Sequence, residues 1–322
     1  MTSSTRPAAW KILLAFAIIY LVWGSTYLAI RIGVREIPPF LMAGLRFTVA
    51  GAVMWAWMRV TGTPSPTLRE WRDATILGTL MFLIDYACLF WAEQRVPSGI
   101  AAVILAMIPV CITLLEITFL RTQRLTLRLA TGLGIGIVGV VVLMNPSSAL
   151  GEAPLDHRGV IALLVSCCGW SIGTIVTKRL TLPASKPMSA AAQMLSGGVQ
   201  LLALAVVAGE FTHFRAQTIS SGAWLSLIYL IIAGSIISYT AYVWLLHYES
   251  PTKVGTYAYV NPVVAVILGA TLGGESIGRR TIFGTALILI SVAAITTIKQ
   301  KQLIPANANG SREAGLKAVA DD

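Results

Sequence analysis

Three ionisable residues, Arg46, Asp85 and Glu116, lie inside long apolar stretches of this 322-residue chain. A charge in apolar surroundings costs about 2.5–3.5 kcal/mol on membrane-insertion scales, so it normally has a partner or a purpose. Arg46 could bind a carboxylate, on a bound molecule or on one of the acids, and Asp85 and Glu116 are possible acids for coupling to an ion. The alternative is structural pairing, or charges that reach the polar boundary from the end of a stretch.

Aromatic side chains recur at helical spacing in the same stretches. Tyr20, Trp23 and Tyr27 follow an i, i+3, i+7 pattern, and tyrosine hydroxyls in apolar surroundings need hydrogen-bond partners. Plain packing, or a belt at the membrane surface, is the alternative. We predict that eight residues line one shared cavity: Trp23, Tyr27, Arg46, Tyr86, Trp170, Tyr239, Tyr257 and Asn261.

The elements that must position these residues are apolar helices. The chain is 56% hydrophobic and 12% charged, whereas a soluble domain carries about 25% charged residues. Because a membrane span needs about 20 apolar residues and must satisfy its own backbone, the pattern predicts an all-α membrane protein. The ten predicted spans cover about 10–32, 40–58, 74–93, 99–120, 127–144, 158–177, 189–208, 223–246, 253–272 and 281–298.

The net charge of +10 is explained by membrane topology and requires no nucleic-acid partner. Lys and Arg collect in cytoplasmic segments. With the N-terminus inside, sixteen of them lie on the inner side, seven on the outer side, and Arg46 within a span. We therefore expect both termini in the cytoplasm, with a short N-terminus over 1–9 and a disordered polar tail over 299–322.

The four cysteines and three histidines do not form a metal site. Cys88, Cys111, Cys167 and Cys168 all lie in apolar runs without metal-ligand spacing. No Walker A sequence indicates ATP binding, and no HExxH motif or histidine in mid-span indicates a membrane-embedded enzyme. No glycine-rich run resembles a channel filter. We therefore predict no catalytic residue, no metal and no cofactor.

The chain repeats itself after about half its length. Trp23 and Trp170 are 147 residues apart, Pro109 and Pro262 are 153 apart, and Gly132 and Gly284 are 152 apart. Each copy has five spans, which is an odd number, so the second copy enters the membrane from the opposite side, as in many secondary transporters. The predicted repeats cover 10–146 and 157–298. Pro109 and Pro262 remove a backbone hydrogen bond and are predicted helix bends.

These features resemble the EamA family of the drug/metabolite transporter superfamily. The resemblance rests on the ten spans in two halves, on "WGSTYLAIR" from Trp23 and on "GGES" with Glu275, and it covers about 10–298. Members often carry Gly-Glu after the fourth span too, where this chain has Thr122 and Gln123. The resemblance implies a multi-pass protein of the inner (plasma) membrane, and the YddG-type aromatic amino-acid exporters are a candidate match.

The expected function is a secondary transporter that exports amino acids and related small metabolites by alternating access. Its partners would be a small-molecule substrate and membrane lipid, while the oligomeric state is left open. A carrier of nucleotide-sugars, phosphate esters or drugs is the alternative. A dianionic cargo should require several deep cations, and Arg46 is the one that the spans provide.

Overall fold

The computed structural model describes residues 7–121, 125–144, 155–249 and 251–303. Within these ranges the regular structure is entirely helical, which confirms the predicted fold class. Among the described residues, nine helices are long and apolar enough to cross a membrane, and a tenth apolar helix is shorter. We number the ten in chain order: α1 Ala9–Gly33, α2 Pro39–Val60, α3 Leu68–Glu93, α4 Ser98–Thr118, α5 Leu127–Met144, α6 His157–Thr177, α7 Lys186–Val207, α8 Ser221–Tyr248, α9 Tyr257–Thr271 and α10 Arg279–Leu303.

Short polar residues set several of the helix starts. Thr67 and Glu70 form a reciprocal capping box at the start of α3. Asp156, Ser185 and Ser220 accept backbone N–H groups at the starts of α6, α7 and α8. Short helices over Glu210–His213 and Pro251–Val254 lie in the connections before α8 and α9.

Several spans are interrupted within the bundle. π-helical turns occupy Ile18–Val22 in α1, Gly78–Ile84 in α3 and Leu230–Ile237 in α8. In α4 the regular helix stops at Leu105 and resumes at Ile108, directly before Pro109. The predicted ninth span is divided as well, because Pro251–Val254 and α9 are separate helices, and Pro262 lies inside α9. π-helical turns inside α-helices are rare and frequently lie at functional sites.

The two halves pack in a symmetric pattern. α2 packs along α7, α4 on α9 and α5 on α10, so equivalent helices meet each other. Several of the remaining contacts occur in pairs: α1 touches α8 and α9, while its counterpart α6 touches α3 and α4. α2 likewise touches α8, and α7 touches α3. This is the arrangement expected of two inverted repeats of five helices related by a pseudo-two-fold axis.

Close backbone approach at glycine holds the central pair together. A Cβ on Gly51 of α2 would lie 2.6 Å from the backbone nitrogen of Leu195 in α7. Small residues at such crossings allow helices to pack in lipid, where no hydrophobic force draws them together. α5 packs mainly on α10, and α10 also touches α4; none of the predicted cavity residues lies on α5 or α10.

Parts of the predicted terminal segments lie outside the described residues. The description begins at residue 7, within the predicted N-terminus over 1–9. α10 continues to Leu303, into the predicted tail over 299–322, and the rest of that tail is not covered. Thr122 and Gln123 also lie outside the described residues.

Candidate functional site

Arg46 is buried where α2 faces α3 and α8. It lies two turns into α2, its side chain is 3% exposed, and its Nε donates to Ser235 Oγ at 3.0 Å. Ser235 in turn donates to the Leu230 carbonyl at 3.0 Å, across the π-helical turn of α8. Nη1 of Arg46 has no hydrogen-bond partner among the described residues. A buried guanidinium with an unused donor can receive an anionic group.

Aromatic rings from α2 and α3 contact this guanidinium and continue to a ring of α6, and we call Arg46 and these rings the arginine cluster. Arg46 Cζ lies 4.7 Å from the ring centroid of Phe47 and 5.4 Å from that of Tyr86, within range of a cation–π interaction. The Tyr86 ring lies 4.4 Å from Phe47, 5.8 Å from Phe82 and 6.5 Å from Trp170. The arginine cluster therefore contains rings from both halves, including the predicted Tyr86 and Trp170.

A second group of rings, the tyrosine cluster, joins α1, α8 and α9. The Trp23 ring lies 4.9 Å from Tyr257 and 5.5 Å from Tyr242, and Tyr242 lies 6.1 Å from Tyr239. Of these, Tyr242 was missed as a cavity residue, although it shares a helix face with Tyr239. The structure thus brings the predicted Trp23, Tyr239 and Tyr257 together.

Gly234 of α8 connects the two clusters. Its carbonyl accepts a hydrogen bond from Trp23 Nε1 at 3.1 Å, and a Cβ added to it would lie 3.4 Å from Arg46 Nη2. The predicted Tyr27 is partly buried against the core and has Tyr86 among its electrostatic neighbours. The predicted lining residues are therefore close neighbours, and their contact with cargo remains a prediction.

Asn261 connects α9 to α1 by hydrogen bonds where the two helices cross. With its amide nitrogen turned toward the backbone, it donates to the carbonyls of Tyr20, Ile19 and Tyr257 at 3.2, 3.3 and 3.2 Å. Ile19 and Tyr20 belong to the π-helical turn of α1, where the Tyr20 carbonyl also accepts the N–H of Trp23. A Cβ on Gly24 would lie 3.2 Å from the Asn261 carbonyl, so the helices approach closely here.

The two predicted coupling acids differ in surroundings. Asp85 is 3% exposed and accepts a hydrogen bond from Ser166 of α6. Glu116 is partly buried toward the end of α4, and nearby Thr113 donates to the Pro109 carbonyl at 2.8 Å. Neither acid lies with other His, Cys, Asp or Glu side chains in a group that could hold a metal, within the part of the chain described.

Glu93, which is fully buried, and the partly buried Arg31 form a further polar site that was not predicted from the sequence. Glu93 is 0% exposed, and neither carboxyl oxygen has a hydrogen-bond partner among the described residues. Nη1 of Arg31 donates to the backbone carbonyl of Glu93 instead. The available signal was the helical spacing, because Glu93 lies seven residues after Tyr86, on the same face of α3.

Three glutamates tie loops to helix starts at one end of the bundle, which we call the capped end. Glu36 accepts from the N–H and Oγ of Ser220 at 2.6 and 2.7 Å. Glu210 accepts from Phe40 and Leu41 N–H at 3.2 and 2.7 Å. Glu275 accepts from Ser98 and Gly99 N–H at 2.7 and 3.1 Å. Carboxylates satisfy the unpaired N–H groups of helix starts and the helix dipole.

Two of these caps differ in their electrostatics. Hydrogen bonds from the Ser220 side chain and backbone lower the pKa of Glu36, whereas burial raises the pKa of Glu210 despite its two backbone hydrogen bonds. At the opposite end of the bundle, Asp73 accepts from Thr181 N–H at 2.8 Å, between α3 and the α6–α7 connection. Each end is thus held by contacts that cross between the halves.

Two inverted halves of five membrane helices, with a buried arginine and aromatic rings where they meet, form the architecture found in many membrane transporters. The chain belongs to the EamA-like transporter family, whose sequence pattern matches residues 10–145 and 157–297. The resemblance inferred from sequence is confirmed, and the protein is a transporter and not an enzyme.

Individual relatives agree with this family. The chain is 37% identical over 290 residues to the uncharacterized inner membrane transporter YedA of Escherichia coli K12, covering 89% of this chain and 90% of YedA. It is 24% identical over 278 residues to a probable amino-acid metabolite efflux pump of Salmonella typhimurium, covering 84% and 90%. A crystal structure with TM-score 0.58 and 21% identity covers 92% of this chain and 100% of its own, which shows a shared fold.

Proposed function

We propose that this transporter exports amino acids and related small metabolites across the inner membrane by alternating access. The observation that carries the proposal is the buried Nη1 of Arg46, which has no partner among the described residues. The Arg46 guanidinium lies beside the Tyr86 ring, and Tyr86 in turn contacts Trp170 of the other half. An unmet hydrogen bond at a charged buried group is costly, and a cargo carboxylate would satisfy it.

The surroundings of Arg46 favour a singly charged, partly apolar cargo. The rings of Phe47, Tyr86 and Trp170 offer apolar surface, and Ser235 already occupies Nε. A phosphate ester or nucleotide-sugar would bring a second negative charge with no second arginine in the cluster to meet it. Amino acids with aromatic or apolar side chains fit this balance better.

Direction, membrane and topology are supported by separate arguments. The efflux pump relative supports export, and YedA supports the inner membrane. The excess of Lys and Arg in alternate connections supports cytoplasmic termini. With that topology the capped end faces outward, because it contains the connections after α1, α3, α7 and α9.

The symmetric packing supports an exchange between two conformations. Contacts of α1 with α8 have their counterpart in contacts of α6 with α3, so each half can take the arrangement that the other now has. The glutamate caps hold the outward end together in the present arrangement. Opening must break some of these contacts and form equivalent ones at the other end.

Purified protein in proteoliposomes tests the cargo class directly. Uptake of labelled phenylalanine, threonine and methionine should be measured with and without a pH gradient, for the parent and for Tyr86→Ala, Trp170→Ala and Tyr257→Ala. We expect each alanine variant to slow transport of at least one cargo several-fold. Tyr248→Ala is the matched control, because Tyr248 packs on Trp244 and His247 near the end of α8, away from both clusters.

Two results would contradict the proposal. Parental rates for every cargo in all three cluster variants would show that the rings do not line the path. Transport of a phosphate ester in preference to every amino acid would favour the alternative cargo class.

A further inference from the structure

We infer that the carboxyl group of Glu93 is a proton-binding site, neutral while the capped end is closed and ionised when that end opens. This inference rests on the proposed alternation between two conformations. It adds a ligand, the proton, at a residue distinct from the rings and the arginine assigned to the cargo.

The carboxyl group of Glu93 is fully buried at the end of α3. Glu93 is the last residue of α3 and is 0% exposed, and both of its carboxyl oxygens lack a hydrogen-bond partner among the described residues. Placing an ionised carboxylate in such a position without a partner is far more costly than placing a neutral carboxyl there. The arrangement therefore suits the protonated form.

The charged groups near Glu93 do not hydrogen-bond to its carboxyl oxygens in the described part of the chain. The charged groups that face Glu93 are Arg31 of α1, Arg46 of α2 and Glu275 after α9, with the phenol of Tyr27 beside them. An ionised Glu93 would draw the Arg31 guanidinium onto its oxygens. Arg31 instead donates from Nη1 to the backbone carbonyl of Glu93, and its Nε has no partner in the described part of the chain.

The other two charges are also engaged elsewhere. Arg46 uses Nε to bind Ser235, and the Glu275 carboxylate accepts the N–H groups that start α4. The Glu93 carboxyl group thus lies near two guanidinium groups, and neither of its oxygens has a partner among the described residues. Removing the proton would make pairing with Arg31 favourable, and that requires the ends of α1 and α3 to rearrange.

The position of Glu93 connects its proton to the conformational change. Opening the capped end separates the ends of α1 and α3 and admits water, which stabilises the ionised form. The closed state then holds one more proton than the open state. By linkage, low pH favours closure, and the ratio of open to closed molecules rises by up to about tenfold per pH unit.

Distances between two spin labels measure this ratio without any cargo and regardless of membrane orientation. Nitroxides at His157→Cys and Gln217→Cys, both exposed, would be measured by double electron–electron resonance after the four native cysteines are replaced. His157 starts α6, which an ion pair of 3.7 Å between Arg95 and Asp156 ties to the end of α3. Gln217 lies near Ser220, which Glu36 ties to the end of α1.

In the protein with native Glu93, the long-distance population should grow as the pH is raised from about 5.5 to 8.5. Glu93→Gln, which mimics the neutral form, should show the short distance at every pH. Glu93→Asp should keep the pH response, which guards against a Gln variant that is misfolded. Glu70→Gln is the matched control, since Glu70 lies at the opposite end of α3 in a capping box that Gln can also form, and it should behave like the parent.

The inference is overturned by a parent whose distances do not change with pH, or by a Gln variant with the parental response. It is also overturned if the populations follow sodium concentration at fixed pH, because the ligand would then be a metal cation. Failure of amino-acid transport would leave these distances unaffected, so the two proposals can fail separately.

Discussion

Arg46 should recognise the carboxylate of the cargo, and this can be tested by changing both partners. Phenylalaninamide keeps the ring and the amine of phenylalanine but lacks the negative charge. Arg46→Gln keeps hydrogen-bonding capacity but removes the positive charge. If the guanidinium binds the carboxylate, the protein with Arg46 should prefer phenylalanine to the amide, and the variant should lose most of that preference.

The magnitude follows from the donors that remain free. Nε of Arg46 is occupied by Ser235, and Nη1 is unpartnered in the described structure, so one charge-assisted hydrogen bond is available from an otherwise unused donor. Such a bond contributes about 1.5–3 kcal/mol, which corresponds to roughly a ten- to hundredfold preference. A bidentate contact is not required for this estimate.

Competition against labelled phenylalanine in proteoliposomes measures the preference as a ratio of half-inhibitory concentrations. The change in this ratio between parent and variant isolates the interaction, as in a double-mutant cycle. Arg59→Gln is the control, because Arg59 lies on the same helix but is exposed. An identical ratio in the parent and in Arg46→Gln would refute carboxylate recognition by Arg46.

Three further predictions concern packing, pH and topology. Gly51→Leu should greatly reduce the amount of folded protein in the membrane, because even a Cβ there would lie 2.6 Å from the α7 backbone. Gly134→Leu should not, because the space around Gly134 is open. Fluorescence-detected size-exclusion chromatography measures the folded protein in both variants. Hydrogen bonds from Ser220 lower the pKa of Glu36 below its ordinary 4.5. The ionised Glu36 therefore stabilises the fold fully above pH 4.5, and this stabilisation is lost as the pH falls through the lowered pKa. Between about pH 6 and 3, the thermal unfolding temperature should fall less in Glu36→Gln than in the parent. Cysteine at Thr218 should be labelled by an impermeant maleimide in intact cells, and labelling only after permeabilisation would reverse the proposed topology.

The fold could be predicted because lipid permits few solutions. Each predicted span corresponds to helix, since an apolar run of this length must satisfy its backbone internally. The inverted repeat followed from the constant spacing of pairs such as Pro109 and Pro262. The π-helical turns over Gly78–Ile84 and Leu230–Ile237 could not be predicted, because no proline marks them and their residues are ordinary for a span.

The residues of the candidate site could be predicted in the middle of a span, where burying a charge is costly, and less well at the ends of the spans. Arg46 stood out because a charge in mid-span needs an explanation. Glu93 was missed because a charge at the last residue of a span can normally reach water, and only packing shows that it is fully buried. Asn261 stays a predicted lining residue, but its hydrogen bonds could not be predicted, because two of its three carbonyl partners belong to a π turn of α1 that the sequence does not reveal.

The symmetric contacts divide the helix interfaces into two kinds with different genetic behaviour. The α2–α7, α4–α9 and α5–α10 interfaces are their own counterparts, so in the proposed exchange a substitution there weakens both conformations alike and lowers stability without shifting their balance. In the proposed exchange, the α1–α8 interface takes the present arrangement of the α6–α3 interface, and the α6–α3 interface takes that of α1–α8. A substitution in one of these shifts the balance toward one side of the membrane, and a matching substitution in the other should restore it, so suppressor mutations should pair residues across the pseudo-two-fold axis.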